Sequence, residues 1–184
     1  MCPLGAGVTS DQRPTTNYQN MDPATVNKVM WAIPNVLCVV GSRAGDERNG
    51  MTTSWVTQVS MEPVLVAISV DSTAVTNRLI NDGGSFSVNL WDRNDTSVFR
   101  RFSKPAEDDG ATLNGYPVRD GITGVPIFED AIGWAECAVW NTVDVGTHDV
   151  FLGEVVDVGI VEGAESIVAR MEDTRMKYGG VRRH

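Results

Sequence analysis

Short apolar runs rich in valine, separated by turn residues and by only brief helical stretches, constrain the fold of this chain more than any other feature. Residues 35–42 (NVLCVVGS), 64–70 (VLVAISV), 85–90 (SFSVNL), 134–143 (WAECAVWNTV) and 150–158 (VFLGEVVDV) each have strand length and a β-branched composition. A parallel sheet needs a long crossover, usually a helix, between successive strands, and the intervals here hold at most short helices. The expected class is therefore mainly β, an antiparallel barrel with a few short helices.

Between these runs the punctuation is local. Asp22 offers an N-cap with Pro23 at the first helical position, and Val26, Val29 and Met30 share a face before Pro34 ends the helix. The polar stretch GDERNG (45–50) reads as a loop leading to a partner strand over residues 52–59. Residues 64–70 fit a strand covered on both faces, and residues 85–90 alternate. Val75, Leu79 and Ile80 lie at helical spacing, with Gly83 and Gly84 as a left-handed stop. Asn94 or Asp95 can cap a third helix carrying Val98, Phe99 and Phe102 on one side. Residues 104–124 are polar and turn-rich and read as an excursion over the barrel surface. Residues 1–20 show no periodicity and read as a mobile tail, leaving residues 21–184 as one domain.

Several function classes drop out. A net charge of −9 and a pI near 4.6 oppose binding to nucleic acid, whose phosphates are held by clustered Lys and Arg. No apolar run approaches the roughly 20 residues that span a bilayer, and no basic segment followed by an apolar one opens the chain, so neither a membrane nor secretion is expected. Cys2, Cys38 and Cys137 lack ligand spacing and read as reduced thiols of a cytoplasmic protein, two of them in the core. No metal site is expected from two histidines without a Cys/His pairing. Neither the phosphate-binding fingerprints of parallel folds nor a G-x-S-x-G elbow occurs.

What remains is residues 49–63, NGMTTSWVTQVSMEP: a small-residue turn, a Thr/Ser-dense uncharged strand and a second turn. The hydroxyls of Thr52, Thr53 and Ser54 and the close approach allowed by Gly50 suit a flat polar ligand lying against backbone. Thr also suits any pleated surface, so composition alone favours an ordinary strand. Together with residues 146–158, GTHDVFLGEVVDV, the segment resembles the flavin reductase-like family. The family pattern G-M-T-x-x-x-x-T/S-x-V-S, followed by an acidic residue and Pro, is matched by Gly50, Met51, Thr52, Thr57, Val59, Ser60, Glu62 and Pro63. His148 is similar to the histidine of the G-D-H-x-x-F-x-G-x-V hairpin, with Thr147 standing where Asp is frequent.

The resemblance implies a Greek-key FMN-binding split β-barrel, forming a homodimer in which both subunits line each flavin. It implies an enzyme transferring hydride from NADH or NADPH to FMN, or to FAD, and supplying a partner such as a monooxygenase. Asn49, Met51, Thr52, Thr53, Ser54, Trp55, Ser60, Met61 and Glu62 would line the cofactor, with Trp55 larger than the small or amide residues usual there. Ser72, Thr73, Thr76, Asn77 and Arg78 would form the phosphate turn, a helix N-terminus with hydroxyl and basic donors. His148 would position the nicotinamide, and Tyr178, in the basic C-terminal segment with Arg175, Lys177, Arg182 and Arg183, would stack near the site. Trp31, Trp91, Trp134 and Trp140 are candidates for core or interface. A non-enzymatic flavin carrier, or a barrel holding deazaflavin F420 or haem, are the alternative readings.

Overall fold

A computed structural model describes residues 21–161 and 167–181. The expected N-terminal tail, with Cys2, Arg182 and Arg183, lies outside the described residues. The chain divides into two compact units, whose described parts are residues 21–33 with 178–181, and residues 34–161 with 167–177. In the first, helix α1 (Pro23–Ala32) starts as its sequence dictates: the Asp22 carboxylate accepts from the backbone N–H of Ala24 and Thr25 at 3.3 and 3.1 Å. Trp31 Nε1 donates to the Gly179 carbonyl, and Val181 N–H donates to Asn27 Oδ1, tying the C-terminal segment to the helix.

The second unit holds β1 (Cys38–Ala44), β2 (Glu47–Thr53), β3 (Val56–Met61), β4 (Val64–Asp71), α2 (Val75–Gly83), β5 (Ser85–Leu90), α3 (Ser97–Arg101), β6 (Thr112–Leu113), β7 (Tyr116–Asp120), β8 (Pro126–Phe128), β9 (Gly133–Asp144) and β10 (His148–Ile160). Seven strands form one antiparallel sheet in the order β2-β1-β5-β9-β10-β4-β3. Laid flat, its edges would stand ~29 Å apart at ~4.8 Å per strand. Yet β2 and β3, at opposite edges, are joined by Ser54 and Trp55, a span of at most ~11 Å from Thr53 to Val56. The sheet must therefore curl on itself, and the result is a barrel split between β2 and β3. Inside it pack Cys38, Val40, Ile68, Val70, Phe86, Cys137 and Phe151, drawn from five strands. Gly153 leaves room there, since a Cβ would meet the Phe86 ring at 2.6 Å.

A second core lies on the other face of β1. Val39 joins Leu37, Trp91, Val98, Phe99, Phe102, Leu113 and Phe128, so α3 buries the face expected of it. Burial pushes the Cys38 and Cys137 thiols up to about 12, which keeps these free side chains protonated and inert.

Four local expectations change. Residues 45–50 are not a loop: Gly45, at φ +57°, and Asp46 make a two-residue hairpin, and β2 starts at Glu47. Residues 52–59 are consequently shared between β2 and β3. Strand β5 is buried along both faces, because it sits between the two cores. The cap of α3 moves from Asn94 or Asp95 to Thr96, without a side-chain bond, while Ala74 precedes α2 and Gly84 is its left-handed stop at φ +70°. Finally, residues 104–124 carry β6 and β7, which with β8 form a small sheet of their own. Glu136 of β9, fully buried, pins the turn before β8 by accepting from the N–H of Ile122 and Thr123 and from the Thr123 hydroxyl. No described helix is long and apolar enough to cross a membrane, and no described cluster has a metal-binding set of ligands.

Candidate functional site

Three segments far apart in sequence meet at the split. The β10–β4 ladder sets His148 opposite Asp71. The crossover from β2 to β3 is drawn to β4 by a bond from Ser69 N–H to the Trp55 carbonyl at 3.1 Å. Trp55 and His148 then lie with ring centroids 4.9 Å apart and planes tilted by 53°. The turn before β10 is fastened to the β4–α2 turn from both sides: Ser72 donates its N–H and hydroxyl to the Thr147 carbonyl at 3.1 and 3.3 Å, and Asn77 Nδ2 donates to Asp149 Oδ2 at 2.8 Å. The Thr147 hydroxyl is 2.8 Å from His148 Nδ1.

Much of the hydroxyl-rich strand is used by the fold itself. Along β2, alternation sends Met51 and Thr53 toward the barrel core and Gly50 and Thr52 toward the second core. Thr52 donates its hydroxyl to the Phe99 carbonyl at 2.8 Å and its N–H to the Phe102 carbonyl at 2.9 Å, which docks α3. The Thr53 hydroxyl accepts from Trp55 N–H at 3.3 Å, and Ser54 is buried. Asn49, also buried, donates to the Thr76 hydroxyl and accepts from Ala106 N–H, tying α2 to the loop after α3. Thr52→Val is thus expected to cost ~1 kcal/mol of folding stability, read as a lower urea midpoint. An unchanged midpoint would show that the Phe99 bond contributes nothing.

The helix end supplies what the strand does not. Ala74 caps α2 without a side-chain bond, and Thr73 donates its N–H and hydroxyl to Asp71 instead. The first-turn amides of α2 thereby keep the anion-binding character of an uncapped helix N-terminus. Arg78 points elsewhere, paired with Glu47 at 2.6 Å and Asp82 at 3.9 Å. Ser60, Met61 and Glu62 stand at the far end of β3, ~20 Å from Trp55 at strand spacing. Tyr178 belongs to the other unit. An open cleft of about 640 Å³ lies beside Asn49, lined among others by Arg43, Glu47, Arg48, Val75 and Asp108. Both arginines named there are paired, Arg43 with Asp120 and Arg48 with Asp108, and hydrogen bonding from Arg48 holds the Asp108 carboxyl below the usual carboxylate range.

The arrangement joins an uncharged crossover, an aromatic and an imidazole ring side by side, and open backbone amides at a helix start, with the Asp71 and Asp149 carboxylates on the neighbouring strands. That donor set fits a flavin, which needs a flat uncharged wall for its ring and an anion seat for its phosphate. The family profile described as the flavin reductase like domain matches residues 30–179. The chain belongs to the flavin reductase-like family. A flavin reductase from Pseudomonas putida is 28% identical over 161 residues, covering 87% of this chain and 91% of the relative. Among solved structures, the NADH:FAD oxidoreductase of Streptomyces globisporus C-1027 is 26% identical with a TM-score of 0.69, over 80% of this chain and 88% of that one. A nitrilotriacetate monooxygenase component B homologue from Mycobacterium thermoresistibile, at 20% identity and TM-score 0.71 over 89% and 94% of the two chains, shares the fold. The chain spans 42% of a longer Rhizobium meliloti relative and 25% of a Nostoc diflavin flavoprotein.

In this flavin reductase-like protein, sequence reasoning passed over Asp71, the ladder partner of His148, and over Asp149 beside the candidate site. The role of Asp149 comes from Asn77, 72 positions away, and no local spacing signals such a bond.

Proposed function

We propose that this protein is an NAD(P)H-dependent flavin reductase, binding FMN or FAD at the β2–β3 crossover. The observation that carries the reading is the Trp55–His148 pair standing between an uncharged backbone crossover and the uncapped start of α2. A bound flavin supplies a ring that accepts hydride from a nicotinamide. The chain's own part is positioning. Residues 53–55 carry no side-chain charge of their own, so negative charge developing on a ligand there meets no carboxylate from this segment. The N–H groups of Val75 and Thr76 would hold a phosphate, while the Thr73 and Ser72 hydroxyls stay committed to Asp71 and to the Thr147 carbonyl. His148, braced by Trp55, would orient the nicotinamide, since direct hydride transfer requires alignment more than an acid or base.

The names of the relatives support the same reading, and the monooxygenase component among the neighbours favours an oxygenase as the consumer of reduced flavin. A homodimer is favoured by the sheet's outer surface. Register shifts leave Val59, Trp140 and Val156 as extra residues at bulges in β3, β9 and β10, and all three are exposed, beside Val158 and Ile160. Location in the cytoplasm agrees with the protonated core thiols.

The test is NADH and NADPH oxidation with FMN or FAD added. Saturable flavin-dependent turnover is expected; bound flavin without turnover would make the protein a carrier, and no flavin binding would point to F420, haem or another ligand. His148→Ala is expected to raise the nicotinamide KM roughly tenfold with flavin affinity retained, the effect of losing one to two kcal/mol of binding contact. Unchanged kinetics would remove His148 from the site.

A further inference from the structure

The open cleft beside Asn49 lies further along the same strand that carries the proposed flavin seat. Strand β2 runs from the hairpin at Gly45 and Asp46 to the crossover at Ser54 and Trp55. At ~3.3 Å per residue, Asn49 stands ~13 Å along it from Thr53, and Asp46 a further ~10 Å. Asn49 donates to the Thr76 hydroxyl at 2.8 Å, which docks the first turn of α2 at that midpoint. Val75, the first residue of α2, lines the cleft together with Asn49. A ligand with its ring at the crossover and its phosphate at Val75 therefore ends at the edge of a cleft of about 640 Å³. That volume is ample for a small-molecule group, whose sites span ~300–1,000 Å³.

The walls restrict what the cleft can take. Arg43 and Arg48 are already paired with Asp120 and Asp108, and Asp46 and Glu47 add two more carboxylates. A further phosphate deep in this acidic lining would be repelled. A neutral group with a planar ring and hydroxyls would not be: guanidinium planes stack on flat rings, and carboxylates accept from ribose hydroxyls at dinucleotide sites. Pro105 adds an apolar rim. We infer that the cleft is an adenosine subsite, so that the protein takes FAD in preference to FMN. FMN ends at its phosphate and leaves the cleft to water. FAD continues through a second phosphate, held with the first at the start of α2, to an adenosine that enters the cleft.

The preference for FAD rests on the reductase reading, and two measurements keep the two apart. Fluorescence titration of the wild type is expected to give a dissociation constant roughly tenfold lower for FAD than for FMN. Arg43→Ala, which removes a stacking plane, and Asp46→Ala, which removes an acceptor at an exposed position, are expected to narrow that difference by weakening FAD alone. Equal affinities in the wild type would overturn the subsite and leave the reductase reading standing. So would variants that keep the difference but raise the NADH KM, since the adenosine would then be that of the nicotinamide dinucleotide. In ¹⁵N-labelled wild type, adenosine alone is expected to shift the amides of residues 45–48 and 108–110 saturably; a response to inorganic phosphate and none to adenosine would overturn the assignment. Should neither flavin bind, the reductase reading falls, and this titration alone decides the cleft: saturable shifts uphold a nucleoside site, and their absence overturns it.

Discussion

Glu136→Ala is expected to destabilise the barrel by about 4 kcal/mol, the largest effect of any single polar substitution proposed for this chain. The carboxylate is fully buried on β9 and receives three donors from one turn, the N–H of Ile122 at 2.9 Å and the N–H and hydroxyl of Thr123, both at 2.5 Å. Bonds to a charged acceptor contribute roughly 1.5–3 kcal/mol each, and part of that returns when water reaches the freed turn. The turn also precedes β8, whose Pro126 carbonyl accepts from Ser87 and whose Phe128 lies in the second core. Loosening it therefore loosens the lid over β1 and β5. The melting temperature should fall by roughly 8–16 °C, at 2–4 °C per kcal/mol for a unit of this size. Glu136→Gln, which keeps acceptor oxygen but not charge, should lie between the two. A fall of less than about 3 °C for Glu136→Ala would show that the turn is held by its backbone bonds alone.

Asn77→Ala should combine a loss of stability with a loss of function. The side chain is buried on α2, donates to Asp149 and to the Val70 carbonyl, and accepts from Asn81. Removing it is expected to cost about 3 kcal/mol, because Asp149 is left without its Asn77 bond beside the barrel wall. Asn77 also ties α2, whose start would hold the flavin phosphate, to the turn bearing His148. Flavin affinity and nicotinamide KM are thus both expected to worsen, unlike His148→Ala, which moves KM alone. Flavin titration at a temperature where the variant remains folded checks this. Wild-type affinity together with the expected stability loss would mean that Asn77 supports the fold and not the site.

How far the chain could be read in advance is clearest at particular elements. The Asp22 cap with Pro23, the Gly84 stop and the buried face of Val98, Phe99 and Phe102 were all legible, because each depends on residues within one or two turns of chain. Strand existence was legible for the same reason, since β-branched runs have few alternatives. The boundary at residues 45–50 was not: polar residues there read as loop, yet two of them suffice for the turn and the rest extend β2, where Asn49 is buried by contacts with Thr76 and Ala106.

The candidate site divides in the same way. The sequence by itself marked the uncharged segment around Trp55, the hydroxyl-bearing turn before α2 and the histidine hairpin, since residue type and short spacing carry that information. Only the tertiary structure decided that Thr52 and Thr53 turn their hydroxyls to the fold, that Arg78 pairs with Glu47, that Trp55 and Thr147 meet the His148 ring, and that Ser72 and Asn77 fasten the turn that bears it. The reason is geometric: curling a seven-stranded sheet through a two-residue crossover brings together residues as much as 93 positions apart, as Trp55 and His148 are, and no local pattern encodes which of them will meet.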